Sequence, residues 1–243
     1  METLASQTSD AFLGGKLIVK QEAGGYRFSI DAVLLAHHAH PRAGERVLDL
    51  GTGCGIIPLI MVNRHPGITV IGIEIQNELA DLAISNVAAN HMLDSIRVKC
   101  MDMRTLTPAL IGGPADVAVC NPPYRRPNSG RLNSDQQRAI ARHELKVSLI
   151  DILNTARRVL RTAGRFLTIY PAQRIAELLS QMNLTGIEPK FMRSIHSRTG
   201  EEAKLILVEG AKGTRAGTTI GPPLIIYAKD GGYSPEIQQM FEP

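Results

Sequence analysis

The run VAVC is closed by Asn121-Pro122-Pro123-Tyr124, four residues whose types and order suit one kind of chemistry. Proline stiffens φ and removes an amide hydrogen, so the Asn121 and Pro122 carbonyls are presented as rigid acceptors. Tyr124 adds a ring against which a planar group can stack. Two fixed acceptors beside a stacking face suit an exocyclic or amide NH₂ that must be held by both of its hydrogens.

A second constellation lies upstream. Asp49, Gly51, Thr52, Gly53 and Gly55 sit in DLGTGCG between two apolar runs. The spacing G-x-G-x-G fits the dinucleotide fingerprint G-x-G-x-x-G poorly, and no Gly-Lys-Ser/Thr follows as in a P-loop. Glu74 ends the next apolar run, where a carboxylate can accept both hydroxyls of a ribose. Asp102 ends the one after, where a carboxylate can accept a hydrogen bond from an adenine amino group. A glycine turn and two acids at successive strand ends describe a nucleoside pocket, and the missing phosphate signature points to S-adenosyl-L-methionine as the cofactor.

Such residues must be carried on strand ends. Val- and Ile-rich runs at 46–50, 69–74, 95–102, 115–121 and 165–170 predict buried strands, with a late strand at 202–212. Apolar residues at helical spacing predict helices over 31–39, 56–64, 77–91, 144–161 and 171–183. Asp31 is expected to cap the first of these. Residues 1–15 read as frayed, and 17–21 with 26–30 as a hairpin turning on Gly24-Gly25. The least regular segments are 122–142 and 212–223. Alternating strands and helices predict an α/β, mostly parallel sheet covered on both faces. The expected organisation is a small N-terminal hairpin and short helix (1–43), integral to one catalytic domain (44–243).

These motifs resemble the class I S-adenosylmethionine-dependent methyltransferases. Asn121 to Tyr124 match their N/D-P-P-Y/F motif for modifying amino nitrogens, and DLGTGCG and IGIE match their cofactor motifs. FSIDAVLLA (28–36), NPPYRRPNSG, ARHE before a long helix, and PPLIIYAKDGGYSPEI (222–237) are similar to the bacterial family that methylates N6 of the adenosine beside the anticodon in valine tRNA. The resemblance implies a Rossmann-like, seven-stranded sheet. It implies that Asp49, Gly51, Thr52, Gly53 and Gly55 shape the methionine end of the cofactor site, that Glu74 takes the ribose, and that Asp102 with Met103 frames the adenine. Asn121 and Pro122 would then grip the target amine, Asn121 also bordering the cofactor, while Tyr124 stacks on the base and Phe28 and Asp31 belong to a segment folding over the cofactor. The same motif occurs in enzymes acting on DNA adenine, rRNA guanine or a release-factor glutamine. The last usually carry a separate N-terminal helical domain, which the short stretch before Arg46 does not provide.

Charge fits a tRNA partner without demanding one: the formal net charge is +4. Arg125, Arg126 and Arg131 follow the motif with no acid before Asp135, and between Lys190 and Arg215 six lysines and arginines, among them Arg193, Arg198 and Lys212, face three glutamates. Long cationic side chains around a reactive loop would grip phosphates without reading sequence. Arg157, Arg158 and Arg161 read as helix surface. No metal is expected. His37 and His38 are adjacent and point in different directions around a helix, so with His40 they read as ordinary histidines. Cys54, Cys100 and Cys120 show no C-x-x-C spacing and read as small buried hydrophobes. No membrane-spanning run or signal peptide is evident, so a cytoplasmic protein is expected, as a monomer or a dimer.

Overall fold

Alternating strand and helix segments pair in parallel because each crossover helix returns the chain to the same end of the sheet. The computed structural model describes residues 7–22, 29–122 and 147–242. Here β3 (Arg46–Leu50) pairs in parallel with β4 (Thr69–Glu74) and with β6 (Ala115–Cys120). On one side β4 continues to β5 (Ile96–Cys100), and on the other β6 continues to β7 (Leu160–Pro171). Strand order reverses at β3, which opens a crevice at the carboxyl ends of β3, β4 and β6.

Side chains alternate along each strand, so each strand supplies both cores. Val47, Val70 and Val117 pack on one face with α1 (Ile30–His38) and α2 (Ile56–Arg64). Leu48, Ile71 and Ala118 pack on the other with α4 (Leu149–Val159) and α5 (Ile175–Leu184). Helix α3 (Asn77–Ala89) joins β4 to β5. Ser148 and Asp151 form a reciprocal capping box that starts α4 at Leu149, and residues 144–146 of the expected helix lie outside the described residues. Residues 172–174 form a 3₁₀ turn before α5. No helix among the described residues is long and apolar enough to cross a membrane.

Among the described residues the sheet has nine strands, against the seven that the resemblance implies. β8 (Ile187–His196) and β9 (Ala203–Lys212) are antiparallel, and β9 inserts between β7 and β8. Two-residue strands, β10 (Thr219–Ile220) and β11 (Leu224–Ile225), then pair on the outer edge of β8. The sequence gives little sign of β8, because Pro189, Lys190 and Arg193 interrupt its apolar pattern. It is half-buried along most of its length. A last helix, α6 (Pro235–Phe241), is capped by Ser234.

The N-terminal hairpin differs from expectation. The partner of β2 (Leu17–Glu22) is β1 (Gln7–Phe12), in the segment read as frayed. The turn uses the earlier Gly-Gly pair: Leu13, Gly14 and Gly15 have φ of 50°, 61° and 89°. Ser29 and Ile30 start α1 instead of ending a strand, while Gly24, Gly25 and Tyr26 lie outside the described residues. Ser29, not Asp31, occupies the α1 N-cap, and Asp31 falls in the first turn.

Strand β2 docks on α3 through two asparagines. Asn90 accepts from the Ile18 amide (2.9 Å) and donates to its carbonyl (2.7 Å). Asn86 does the same for Lys20, at 2.8 and 3.0 Å. Four residues of helix rise about 6 Å and two residues of strand rise nearly 7 Å, so carboxamides at i and i+4 can stand in for a neighbouring strand.

Candidate active site

The glycine turn folds over the crevice at the end of β3. The amides of Gly51 and Thr52 both donate to the Ile73 carbonyl, at 2.9 and 3.0 Å, and Gly55 donates to Thr52 at 2.9 Å. Gly51, Gly53 and Gly55 have φ of 80°, 56° and 83°, a region that strains L side chains. At Gly55 a Cβ would also meet the Ala83 Cβ at 3.3 Å, so α3 lies close against the turn.

Glu74 ties this turn to β4. The residue is 2% exposed, and its carboxylate accepts from the Gly53 amide (3.0 Å) through one oxygen. The other oxygen accepts from the amides of Ile75 (2.9 Å) and Gln76 (3.0 Å). A buried carboxylate held by three amides is fixed in place, and it faces the cavity beyond the strand ends.

Beneath the turn lies a less satisfied acid. Asp49 pairs in register with Gly72, and the Thr52 side chain fills the space where a Gly72 Cβ would stand. Asp49 is fully buried, and neither of its carboxylate oxygens, nor the Thr52 hydroxyl, has a hydrogen-bond partner of full geometry. Burial pushes the Asp49 pKa up to about 7, the Glu74 charge adds to the rise, and the nearby Thr52 hydroxyl works against it. Burial likewise raises the thiols of Cys54 and Cys120, which leaves them inert.

A cavity of about 290 Å³ spans the crevice. Gly51, Glu74, Ile75, Met101 and Met103 line one end. Asn121 and Pro122, with Tyr170 and Arg174, line the other. Tyr170 is buried, and the Arg174 guanidinium lies 5.0 Å above its ring while bonding Glu177 at 2.8 and 3.0 Å. Nothing in the sequence marks Tyr170 or Arg174, since an aromatic ending an apolar strand reads as core.

Asp102 stands apart from this wall. Its flanking residues Met101 and Met103 line the cavity, whereas its carboxylate caps the 3₁₀ turn 103–105 and binds Arg104 through Nε (2.9 Å) and Nη2 (2.6 Å). Hydrogen bonding to Arg104 holds its pKa below the ordinary value. That turn is anchored from α4. Arg158, read from sequence as helix surface, donates to the carbonyls of Leu106 (2.6 Å), Arg104 (3.0 Å) and Met103 (3.2 Å), and Thr155 also donates to Met103. Arg161 bonds Asp116 at 2.5 Å. Asp31 is partly buried in α1, which raises its pKa, and it is not a wall of this cavity.

Phe28, Tyr124, Arg125, Arg126 and Arg131 lie outside the described residues. The other three candidate cations are scattered. Arg193 is 11% exposed and bound bidentately by Glu236 at 2.7 and 2.8 Å, with the Pro222 carbonyl accepting from its Nε. Lys212 donates to the Leu160 carbonyl at the end of the sheet opposite Asn121. Arg198 is exposed at the same end as Asn121. Cys100 is exposed, contrary to the buried reading. Among the described residues no three His, Cys, Asp or Glu side chains are grouped to hold a metal.

A doubly wound sheet whose glycine turn and acids converge on a strand-end cavity is that of a class I S-adenosylmethionine-dependent methyltransferase. A solved structure from Agrobacterium tumefaciens, described as a predicted O-methyltransferase, shares the fold with a TM-score of 0.67 at 23% identity, over 86% of this chain and 94% of that one. The chain belongs to the methyltransferase small domain family, whose model matches residues 26–184. Among its relatives, the tRNA1(Val) (adenine(37)-N6)-methyltransferase of Porphyromonas gingivalis is 30% identical over 97% of this chain and 94% of its own length. The enzyme of the same name from Aeromonas hydrophila is 27% identical over 88% and 87%.

Proposed function

We propose that this protein transfers the methyl group of S-adenosylmethionine to the exocyclic N6 amine of an adenosine in tRNA, the anticodon-adjacent adenosine of valine tRNA. The observation that carries this reading is that one cavity is lined both by Gly51 and Glu74 and by Asn121 and Pro122. Cofactor and target amine can meet there. The names of the relatives that match nearly the whole chain support the RNA and the base.

The residues present fit the cofactor. Asp49 and Thr52 hold buried polar atoms without partners beneath the turn, which suits the polar methionine end. Glu74 is a fixed acceptor for ribose hydroxyls, and Met101 and Met103 offer an apolar wall for the adenine. Asp102, engaged with Arg104, shapes that wall through the turn it caps. The bound cofactor supplies a sulfonium-activated methyl group.

The adenine N6 lone pair is delocalised into the ring and weakly nucleophilic. The Asn121 and Pro122 carbonyls accept both N–H bonds, turning the lone pair out of conjugation, so positioning and electrostatics supply the catalysis. The base must leave its stack to enter, and Tyr124 receives it. Arg125, Arg126 and Arg131 grip the surrounding phosphates, and residues 1–43 act as part of the same catalytic unit in the cytoplasm.

The test offers tRNA, rRNA, DNA and peptide release factor in parallel with tritiated-methyl cofactor. Transfer to tRNA, with N6-methyladenosine in the digested product, is expected. A methyl group on guanosine or on glutamine overturns the substrate.

A further inference from the structure

The chain leaves the sheet after β11 at the end where Asn121 lies. Ile225 pairs with His196, His196 with Ala203, and Leu205 with Pro171, so these ends lie together. From β6 to β11 there are four strand steps, about 19 Å along the rim at the usual spacing. There residues 227–233 form a tight hairpin, Tyr227 bridging to Tyr233 and the Ala228 amide donating to Gly232.

The two tyrosines are stacked, with ring centroids 5.7 Å apart and planes within 16°. Tyr233 stacks in turn on Phe241 of α6, at 5.3 Å and 6°. Packing on α6 therefore fixes the ring planes. Yet Tyr227 and Tyr233 keep 37% and 38% of their surface open to solvent. The guanidinium of Arg198 lies 5.6 Å over Tyr227, and the arginine side chain is 58% exposed and pairs with Glu201 at 3.9 Å. A rigid, exposed aromatic pair with a loosely held planar cation combines a stacking surface with charge complementary to phosphate.

We propose that Tyr227, Tyr233 and Arg198 form a stacking platform for an unpaired base of the RNA substrate that flanks the methylated adenosine. The proposal rests on the RNA reading above. Arg198 shifts within its loose ion pair to lie against the incoming base or its phosphate, while Tyr227, backed by Tyr233, provides a surface that accepts any base. The platform holds the strand on the rim and leaves the chemistry to the strand-end cavity.

The test uses the full chain and an RNA stem-loop containing the target adenosine, with 2-aminopurine placed in turn at each neighbouring loop position. The chain contains no tryptophan to interfere with the emission. Binding should quench the probe at one flanking position. Tyr227→Ala should abolish that quench, weaken binding about tenfold, and raise KM with little change in the single-turnover rate at saturating RNA. Tyr227→Phe should behave as wild type, and Arg198→Ala should weaken binding and reduce its salt dependence. Tyr227→Leu, which keeps apolar packing on Tyr233 without a ring, should match the alanine variant and serves if that variant does not fold. Quenching and affinity unchanged in the alanine or leucine variant overturn the platform. Wild-type protein that neither binds nor methylates the RNA overturns the RNA reading itself.

Discussion

The side-chain amide of Asn86 joins Lys20 of the N-terminal hairpin to Cys54 of the glycine turn, donating to their carbonyls at 3.0 and 2.9 Å. It is fully buried, and its oxygen accepts from the Lys20 amide. One residue thus couples the hairpin to the cofactor turn. Asn86→Ala leaves the Lys20 amide and the Lys20 and Cys54 carbonyls, all partly buried, without their partner, and urea unfolding should show a loss of about 2–4 kcal/mol. Asn90→Ala, whose bonds to Ile18 are exposed, should cost about 1 kcal/mol.

Glu74 is expected to serve both the ligand and the turn. Glu74→Ala removes the acceptor of the Gly53, Ile75 and Gln76 amides. Calorimetry should show S-adenosylmethionine affinity lowered by about 1–3 kcal/mol, accompanied by a lower unfolding midpoint. Unaltered binding would remove Glu74 from the ribose site.

Asp49 is expected to make cofactor binding depend on pH. Its pKa of about 7 in the ligand-free protein lies above the usual carboxylate value, so below pH 7 the folded protein holds a proton there. The positively charged methionine end of the cofactor, bound above Asp49 as proposed, should favour the carboxylate, so that binding expels that proton. Affinity should therefore fall as pH drops from 8 to 6. Calorimetry in buffers of different ionisation enthalpy should show proton release growing towards one over the same range. Asp49→Asn should bind more weakly and without this pH dependence.

The Asp49 shift also bears on stability, with the opposite sign to an ordinary paired carboxylate. Between the unfolded value near 4 and the folded value near 7 the native state binds more protons, so this residue's contribution declines as pH rises through that window. In the ligand-free protein, Asp49→Asn should flatten the pH dependence of unfolding between pH 4 and 7. An identical profile in both proteins would show that Asp49 does not titrate there.

Asn121 should matter to turnover far more than to binding, because its carbonyl acts when the amine is aligned with the methyl group. Asn121→Ala is expected to slow single-turnover methylation at least a hundredfold, or about 2.7 kcal/mol of transition-state stabilisation, with cofactor affinity within a few-fold. Tyr124→Phe should retain most of the rate and Tyr124→Ala little of it. Full activity in the asparagine variant would overturn the mechanism.

The strands at 46–50 and 69–74 and the helix at 56–64 were legible because each joins a short apolar run to glycine punctuation, a local property of the chain. The same local logic set the cofactor class, since the glycines, Glu74 and Asn121 fall at strand ends whatever the packing. What the sequence did not determine depends on residues far apart in the chain. The seat of β2 on α3 is fixed by Asn86 and Asn90, more than sixty residues away, which no local pattern encodes. Arg158 and Arg193 look like solvated cations in the chain, yet carbonyls at Leu106 and Pro222 and the carboxylate of Glu236 capture them. Tyr227, Tyr233 and Phe241 became a stack only when α6 folded back on the hairpin. Strand ends and turns are dictated by backbone conformation and short-range patterning. The partners of a charge, an edge or a ring are settled only when distant segments pack together.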